Sequence, residues 1–352
     1  MDRATLEKEV KGEGATPIVS EIDLSGNDYR GADLAGGMFN QVDLSRSDLS
    51  GAKLKECNFN NCNFTDAILD SCDMTLVSAT NCNFNNAQLS NSKFSYSNFI
   101  DSEFRKTSFH ASRFANSSFI DSELSEASFI AVSTENTNFI NARLETADFS
   151  ESIQHRTNFI DPVFQKINLD GSELNMVFFS NADFSDFDFS NMKLNMCQFK
   201  DSNLSNAILV NLDLTQCGFM AANVSGADFS HSIANNCLFI GATGRAAKFK
   251  GAEIKQALFN DADMSFSDFS KAKMEQAQFV KASCEGAVFT EADLTYVDFS
   301  HCNLDGAMID KTILYRANLH EILEQGAIWD ESDKLAALPT DEKKAMAENF
   351  KP

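Results

Sequence analysis

No run of eighteen apolar residues occurs in this chain, and its first stretch, MDRATLEKEVKGEGATP, lacks an apolar core segment. Neither a membrane-spanning helix nor a secretory leader is expected, and the chain reads as cytoplasmic. Basic residues are scarce: 29 Lys and Arg stand against 51 Asp and Glu, a formal charge of −22. That excess opposes direct binding to a nucleic-acid backbone or an anionic membrane and suits a basic partner. No H-E-x-x-H, Walker, G-x-G-x-x-G or C-x-x-C motif is present. The zinc, nucleotide and redox chemistries that those spacings support therefore have no foothold, and no enzyme or cofactor is expected.

Proline (4), tyrosine (4) and tryptophan (1) are rare, whereas phenylalanine occurs 32 times. One aromatic type fills one kind of slot. In SYSNFIDSEF, Phe99 and Phe104 stand five apart among small polar residues, and the same beat runs from Leu24 to Leu319 through sixty centres with no insertion or deletion. Phe occupies 28 centres, and Leu, Met, Ile or Val most others; two residues before the centre, 48 of the sixty side chains are Ala, Ser, Cys, Thr or Gly. On a helix a step of five turns a side chain through about 500°, and on a flat strand it alternates faces. A chain that turns after every five residues keeps one large and one small side chain inward on each short side.

The number of sides is also legible. Centres twenty apart include the series Phe39, Phe59, Ala79, Phe99 and onward to Phe299 and Leu319, in which 13 of 15 members are Phe, while the other 45 centres hold only 15. Four pentapeptides complete one coil.

Stretches such as GADLAGGMFN, DLSRSDLSGAKL and KASCEGAVFTEADLTYVDFS carry an A(D/N)LXX-like pattern. They resemble the pentapeptide-repeat family over about 300 residues. The resemblance implies an all-β fold, a right-handed quadrilateral parallel β-helix of about fifteen coils, roughly 70 Å long at about 4.8 Å per coil. The expected organisation is an N-terminal cap in residues 1–21, the solenoid in 22–321, and a C-terminal plug with a short helix in 322–352. Leu6 and Val10 at helical spacing would form the first cap. At the other end Glu324 breaks the beat, Trp329 returns to it, and Thr340 reads as the N-cap of a helix in which Met346 and Phe350 share a face.

Eight of the nine cysteines (Cys57, Cys62, Cys72, Cys82, Cys197, Cys217, Cys237 and Cys302) fall in the small inward slot and Cys284 at a centre. Packing as small hydrophobes is the expected role, with no metal site. The five histidines, His110, His155, His231, His301 and His320, read as scattered outward positions without a cluster. Thr134 and Gln154 are consecutive polar centres that could hydrogen-bond inside, and Gly244 and Cys284 thin another column.

The informative signal lies outside. The residue after the Phe column points outward, and it is Ile100, Ile120, Ile140 and Ile160 in four successive coils. The same side presents Phe178, Met220, Leu238, Ile240, Leu258 and Val280, whereas the side bearing Asp23, Asp43, Asn63, Asn83, Glu103 and Glu123 is polar. An apolar stripe several coils long marks a contact surface. The expected function is a non-enzymatic interaction or scaffold protein that binds a protein partner or its own copy through that stripe. The resemblance adds two alternatives: an acidic DNA mimic that occupies the basic surface of DNA gyrase or another type II topoisomerase, and a secretion-system effector or accessory protein.

Overall fold

The computed structural model describes residues 1–12, 18–348 and 350; the remainder of the expected N-terminal cap segment, 13–17, lies outside the described residues. The chain is a parallel β-solenoid with a short helix at each end. Its sides arise from a repeated corner. The residue two after nearly every centre takes a positive φ, mostly near +50 to +65°, and most of these corners are Asn, Asp, Lys, Gln or Glu rather than Gly. A left-handed conformation is costly for most side chains, so each corner depends on bonds around it. Ala67 N–H donates to Phe64 C=O at 2.9 Å within the turn, Phe64 N–H to Asn83 C=O at 2.6 Å in the following coil, and Asn83 N–H to Cys62 C=O at 2.9 Å. Each pentapeptide thus closes its own turn and bonds to the next coil.

Parallel bridges such as Asp23↔Asp43, Asp28↔Asp48, Asp33↔Lys53 and Met38↔Asn58 mark four sides per coil, each with a pitch of twenty residues. In residues 1–178 three-residue strands recur every twenty residues on the phenylalanine side from Ile18–Ser20 to Asn158–Ile160. In the same residues a second side carries strands from Lys93–Ser95 to Glu173–Asn175. Beyond Lys200 the pitch continues as isolated bridges up to Asn318↔Leu338. About nine turns carry three-residue strand and the later ones are joined by single bridges at the same pitch, against the fifteen coils expected.

The contacts group the chain into two units, Met1–Phe178 and Phe179–Pro352. In the first, Phe99, Phe119, Phe139 and Phe159 stack at centroid distances of 5.0, 5.2 and 4.9 Å. Phe129 and Phe149, from another column, meet Phe139 edge-on at 86° and 84°. In the second, Phe219, Phe239, Phe259 and Phe279 stack at 4.8, 4.7 and 4.5 Å. Stacking along a column and edge-to-face contact between columns are both favourable aromatic geometries, which is why one residue type is repeated. Gly244 does not leave its column thin: a Cβ there would stand 2.6 Å from Met264 Sδ, so the methionine of the next coil fills the space. Where the small slot holds Phe187, the ring is only half-buried and packs against Phe184 and Phe189 at 5.4 and 4.7 Å.

The first helix, α1 (Arg3–Val10), covers the open end of the first unit with Leu6 and Val10 buried, as expected. Its N-cap Asp2 accepts from Thr5 N–H. Arg3 donates to the carbonyls of Arg30 and Gly31 at 2.7 and 2.8 Å, and Glu7 accepts the Asp33 N–H at 2.9 Å. Those polar groups would otherwise form an unpaired sheet edge.

The second helix, α2 (Glu342–Glu348), differs from expectation in its cap. Asp341 Oδ1 accepts from Lys343 and Lys344 N–H at 3.0 and 3.1 Å, while Thr340 Oγ1 accepts from Glu321 N–H. Asp341 is the N-cap, and Thr340 ties the helix to the preceding coil. Only Ala345 of α2 is buried; Met346 and Phe350 are exposed. Trp329 is half-buried, with Lys334 Nζ 4.4 Å over its ring. No helix among the described residues is long and apolar enough to cross a membrane.

Candidate interaction surface

Strands Asn98–Ile100, Ser118–Ile120, Asn138–Ile140 and Asn158–Ile160 pair in parallel, with Ile100↔Ile120, Ile120↔Ile140 and Ile140↔Ile160 as register partners. The four isoleucines thus form one ladder on the first unit. Each is half-buried rather than fully exposed, because its flanks rest against the neighbouring side chains of the ladder. Along one edge, Asp101, Asp121, Asn141 and Asp161 occupy left-handed corners. On the other, Asn158 Nδ2 donates to Asn138 Oδ1 at 2.7 Å. The ladder is an apolar ridge between a mainly acidic and an amide border.

The remaining stripe residues are placed less regularly. Phe178 ends the first unit and is half-buried. In the second unit Leu238 and Leu258 are bridge partners, Met220 is exposed, and Ile240 and Val280 are half-buried in one column with Asn260 between them. That amide interrupts the apolar run. A second apolar group that the repeat pattern did not bring forward lies near the C-terminal end: Leu323, Ile328, Leu335 and Leu338 are all exposed. Leu323 and Ile328 stand one residue before centres, an outward position, which was the available signal.

The consensus aspartates have structural work. Asp43, Asp73, Asp148, Asp228 and Asp298 each accept, through Oδ1, the backbone N–H two residues onward at 2.9–3.1 Å. Such turns are a standard use of Asp at a chain reversal. The carboxyl of Asp228 is held below its ordinary range although partial burial pushes it up, since the Ser230 hydrogen bonds and Lys248 outweigh that burial. Much of the negative charge is thus spent on closing corners.

All nine cysteines are free and buried. Burial pushes the thiols of Cys57 and Cys72 up to about 12 and that of Cys217 well above its usual value. A thiol so displaced is not a nucleophile at neutral pH, in keeping with packing.

The polar centres are paired differently from expectation. Thr134 and Gln154 are register partners, yet Thr134 Oγ1 bonds to Thr157 Oγ1 at 2.6 Å and Gln154 Nε2 donates to Ser152 Oγ at 3.1 Å. Gln154 Oε1 and Ser172 Oγ are buried without a protein partner. Leu174 follows Gln154 in the same column. Gln154→Leu is therefore expected to raise stability by about 1–3 kcal/mol, read as a higher urea midpoint at unchanged m-value. A lowered midpoint would show that the amide oxygen is satisfied.

The histidines are not all scattered. His301 and His320 are nineteen residues apart, one coil less one residue, and their rings lie 5.3 Å apart at 82°. His320 is 2% exposed, so it is not an outward residue. Glu348 of α2 places Oε2 3.1 Å from His320 Nε2 and 3.3 Å from His301 Nε2. The His320 hydrogen bond holds the Glu348 carboxyl below its ordinary range. The five-residue beat could not reveal this meeting, because Glu348 lies beyond the repeats.

A family model described as the pentapeptide repeat region matches residues 42–119, 212–289 and 232–309, and one for eight copies of the pentapeptide repeat matches 20–55 and 182–219. The chain belongs to the pentapeptide-repeat family. Solved pentapeptide-repeat structures align with it at low identity. HetL from Nostoc sp. strain PCC 7120, involved in heterocyst differentiation regulation, is 16% identical over 92% of this chain and 90% of its own, with a TM-score of 0.21. QnrB1, a plasmid-mediated fluoroquinolone resistance protein, is 19% identical over 57% and 90%, with a TM-score of 0.27. Rfr23 from Cyanothece 51142 is 20% identical over 30% and 63%, with a TM-score of 0.20. No curated protein matches the chain.

Proposed function

We propose that this pentapeptide-repeat protein is a non-enzymatic scaffold that captures a protein partner through the isoleucine ladder of its first unit. The observation that carries this reading is the in-register alignment of Ile100, Ile120, Ile140 and Ile160. Strand propensity favours isoleucine at any such position, yet the same ladder column holds Asn40, Asn60 and Thr80 in the coils before. A rigid parallel ladder presents its side chains at about 4.8 Å intervals with little ordering left to lose on contact. The partner that fits has an apolar ridge with basic residues placed to meet Asp101, Asp121 and Asp161. The DNA-mimic alternative draws support from the charge of −22, but it is weakened by the many aspartates committed to turns.

The test substitutes Ile120→Thr and Ile140→Lys together. Threonine occurs in this column at Thr80, and the twenty-residue repeat carries lysine at the equivalent sequence position of a later coil, Lys200, so such strands tolerate both. The thermal midpoint should move little, since outward changes usually matter by less than about 0.5 kcal/mol. Capture of the native partner, or self-association if the partner is a second copy, should fall at least about tenfold. Unaltered capture and light scattering by the folded double variant would reduce the ladder to ordinary strand surface. Inhibition of gyrase supercoiling that survives the double substitution would favour the acidic mimic instead.

A further inference from the structure

We propose that His301, His320 and Glu348 form a binding site for one divalent transition metal of the zinc type, which fastens α2 to the final coils. The three ligand atoms, two imidazole Nε2 and one carboxylate oxygen, all lie within 4.8 Å of one another. A tetrahedral zinc with bonds of about 2.0–2.2 Å holds its ligand atoms about 3.3–3.5 Å apart. The two histidine–glutamate separations, 3.1 and 3.3 Å, are close to that edge length. Two neutral imidazoles and one carboxylate, with a fourth position for solvent, are a borderline-soft donor set that suits zinc better than calcium or magnesium. His320 is buried, so packing already confines one ligand to the site.

The proton inventory limits the affinity. Asp341 N–H donates to His320 Nδ1 at 3.1 Å, which places the ring proton on Nε2, where it points at Glu348. Metal at Nε2 moves that proton to Nδ1, so this ring releases no proton overall. The Asp341 N–H, at the start of α2, then loses its acceptor. Unfavourable outer contacts of this kind weaken a metal site by about ten- to a hundredfold. The ligands come from two elements, two from the solenoid and one from α2, so the metal must stabilise the docked helix. A seven-residue helix with one buried side chain gains from such a tie, which adds to the Glu321–Thr340 hydrogen bond that already links it to the preceding coil.

The experiment titrates zinc chloride into the chelator-treated full chain by calorimetry. One zinc per chain is expected. His301→Ala and Glu348→Gln should each weaken binding at least about tenfold, while His110→Ala should leave it unchanged. Glutamine keeps an acceptor for His320, so Glu348→Gln retains the docked helix and the comparison does not depend on unfolding. Zinc in about hundredfold excess over its dissociation constant should raise the thermal midpoint of the wild-type chain and not that of Glu348→Gln. Failure of the wild-type chain to bind zinc saturably, or equal binding by both triad variants, would overturn the site and leave a plain hydrogen-bonded cluster.

Discussion

Phe199→Ala is expected to lower the stability of the second unit by about 3–5 kcal/mol. Phe199 is fully buried, stacked between Phe179 and Phe219 at 5.2 and 5.4 Å, and meets Phe184 and Phe189 edge-on at 5.8 Å. The backbone of each coil is bonded to its neighbours at a fixed pitch, so the coils cannot close over the lost ring. The cavity persists, and its cost adds to the lost transfer energy. The damage should stay local, because a solenoid coil contacts only the coils beside it. Hydrogen exchange should accelerate at Asp201 and Phe219, whose amides bond across this neighbourhood, before it changes near Phe289. Uniform acceleration throughout the second unit would contradict nearest-neighbour coupling. Substitution by leucine, present at the centres Leu204 and Leu209, should cost less than alanine since it leaves a smaller void.

The contrast between what was legible and what was not follows from the same repeat. Phe99, Phe119 and Phe139 announce a twenty-residue coil because a closed polygon returns the same slot to the same place, and the pattern needs no tertiary knowledge. The ladder of Ile100, Ile120, Ile140 and Ile160 was legible for that reason too. Its half-burial was not, since neighbouring side chains in a parallel ladder shield one another and sequence spacing carries no measure of that shielding. The extent of continuous strand was also hidden: the five-residue beat is the same in coils with three-residue strands and in coils joined by single bridges. The non-repeating ends are where expectation failed. Thr340 and Asp341 both suit an N-cap, and only the position of Glu321 N–H, which engages Thr340, leaves the cap to Asp341. His320 could not be recognised as buried, because the helix that covers it comes from outside the repeat.

Replacement of Leu6 by aspartate should undo the N-terminal cap. Leu6 is completely buried, and α1 has only one other buried apolar residue, Val10. Loss of a buried leucine side chain alone removes about 2–5 kcal/mol, and an unpaired carboxylate in its place adds a desolvation cost. The remaining ties of α1 are polar and largely exposed: Arg3 to the Arg30 and Gly31 carbonyls, Glu7 to the Asp33 N–H, and Lys11 to Asp33 at 2.7 Å. Surface pairs of that kind contribute little, so they cannot hold the helix against a buried charge, and α1 should detach as a whole. Detachment bares the first coil, whose backbone groups and apolar interior then form an open parallel edge. The expected signature of Leu6→Asp is concentration-dependent association in light scattering together with faster amide exchange at Asp33, whose acceptor is Glu7. Interior positions such as Phe119 and Phe139 should keep their protection, because the loss begins at one end. Arg3→Ala offers a graded comparison: it removes two carbonyl partners while leaving Leu6 in place, and should weaken the cap without releasing it. If Leu6→Asp associates no more than the wild-type chain and Asp33 is still protected, the first coil covers its own edge and α1 is an accessory to it.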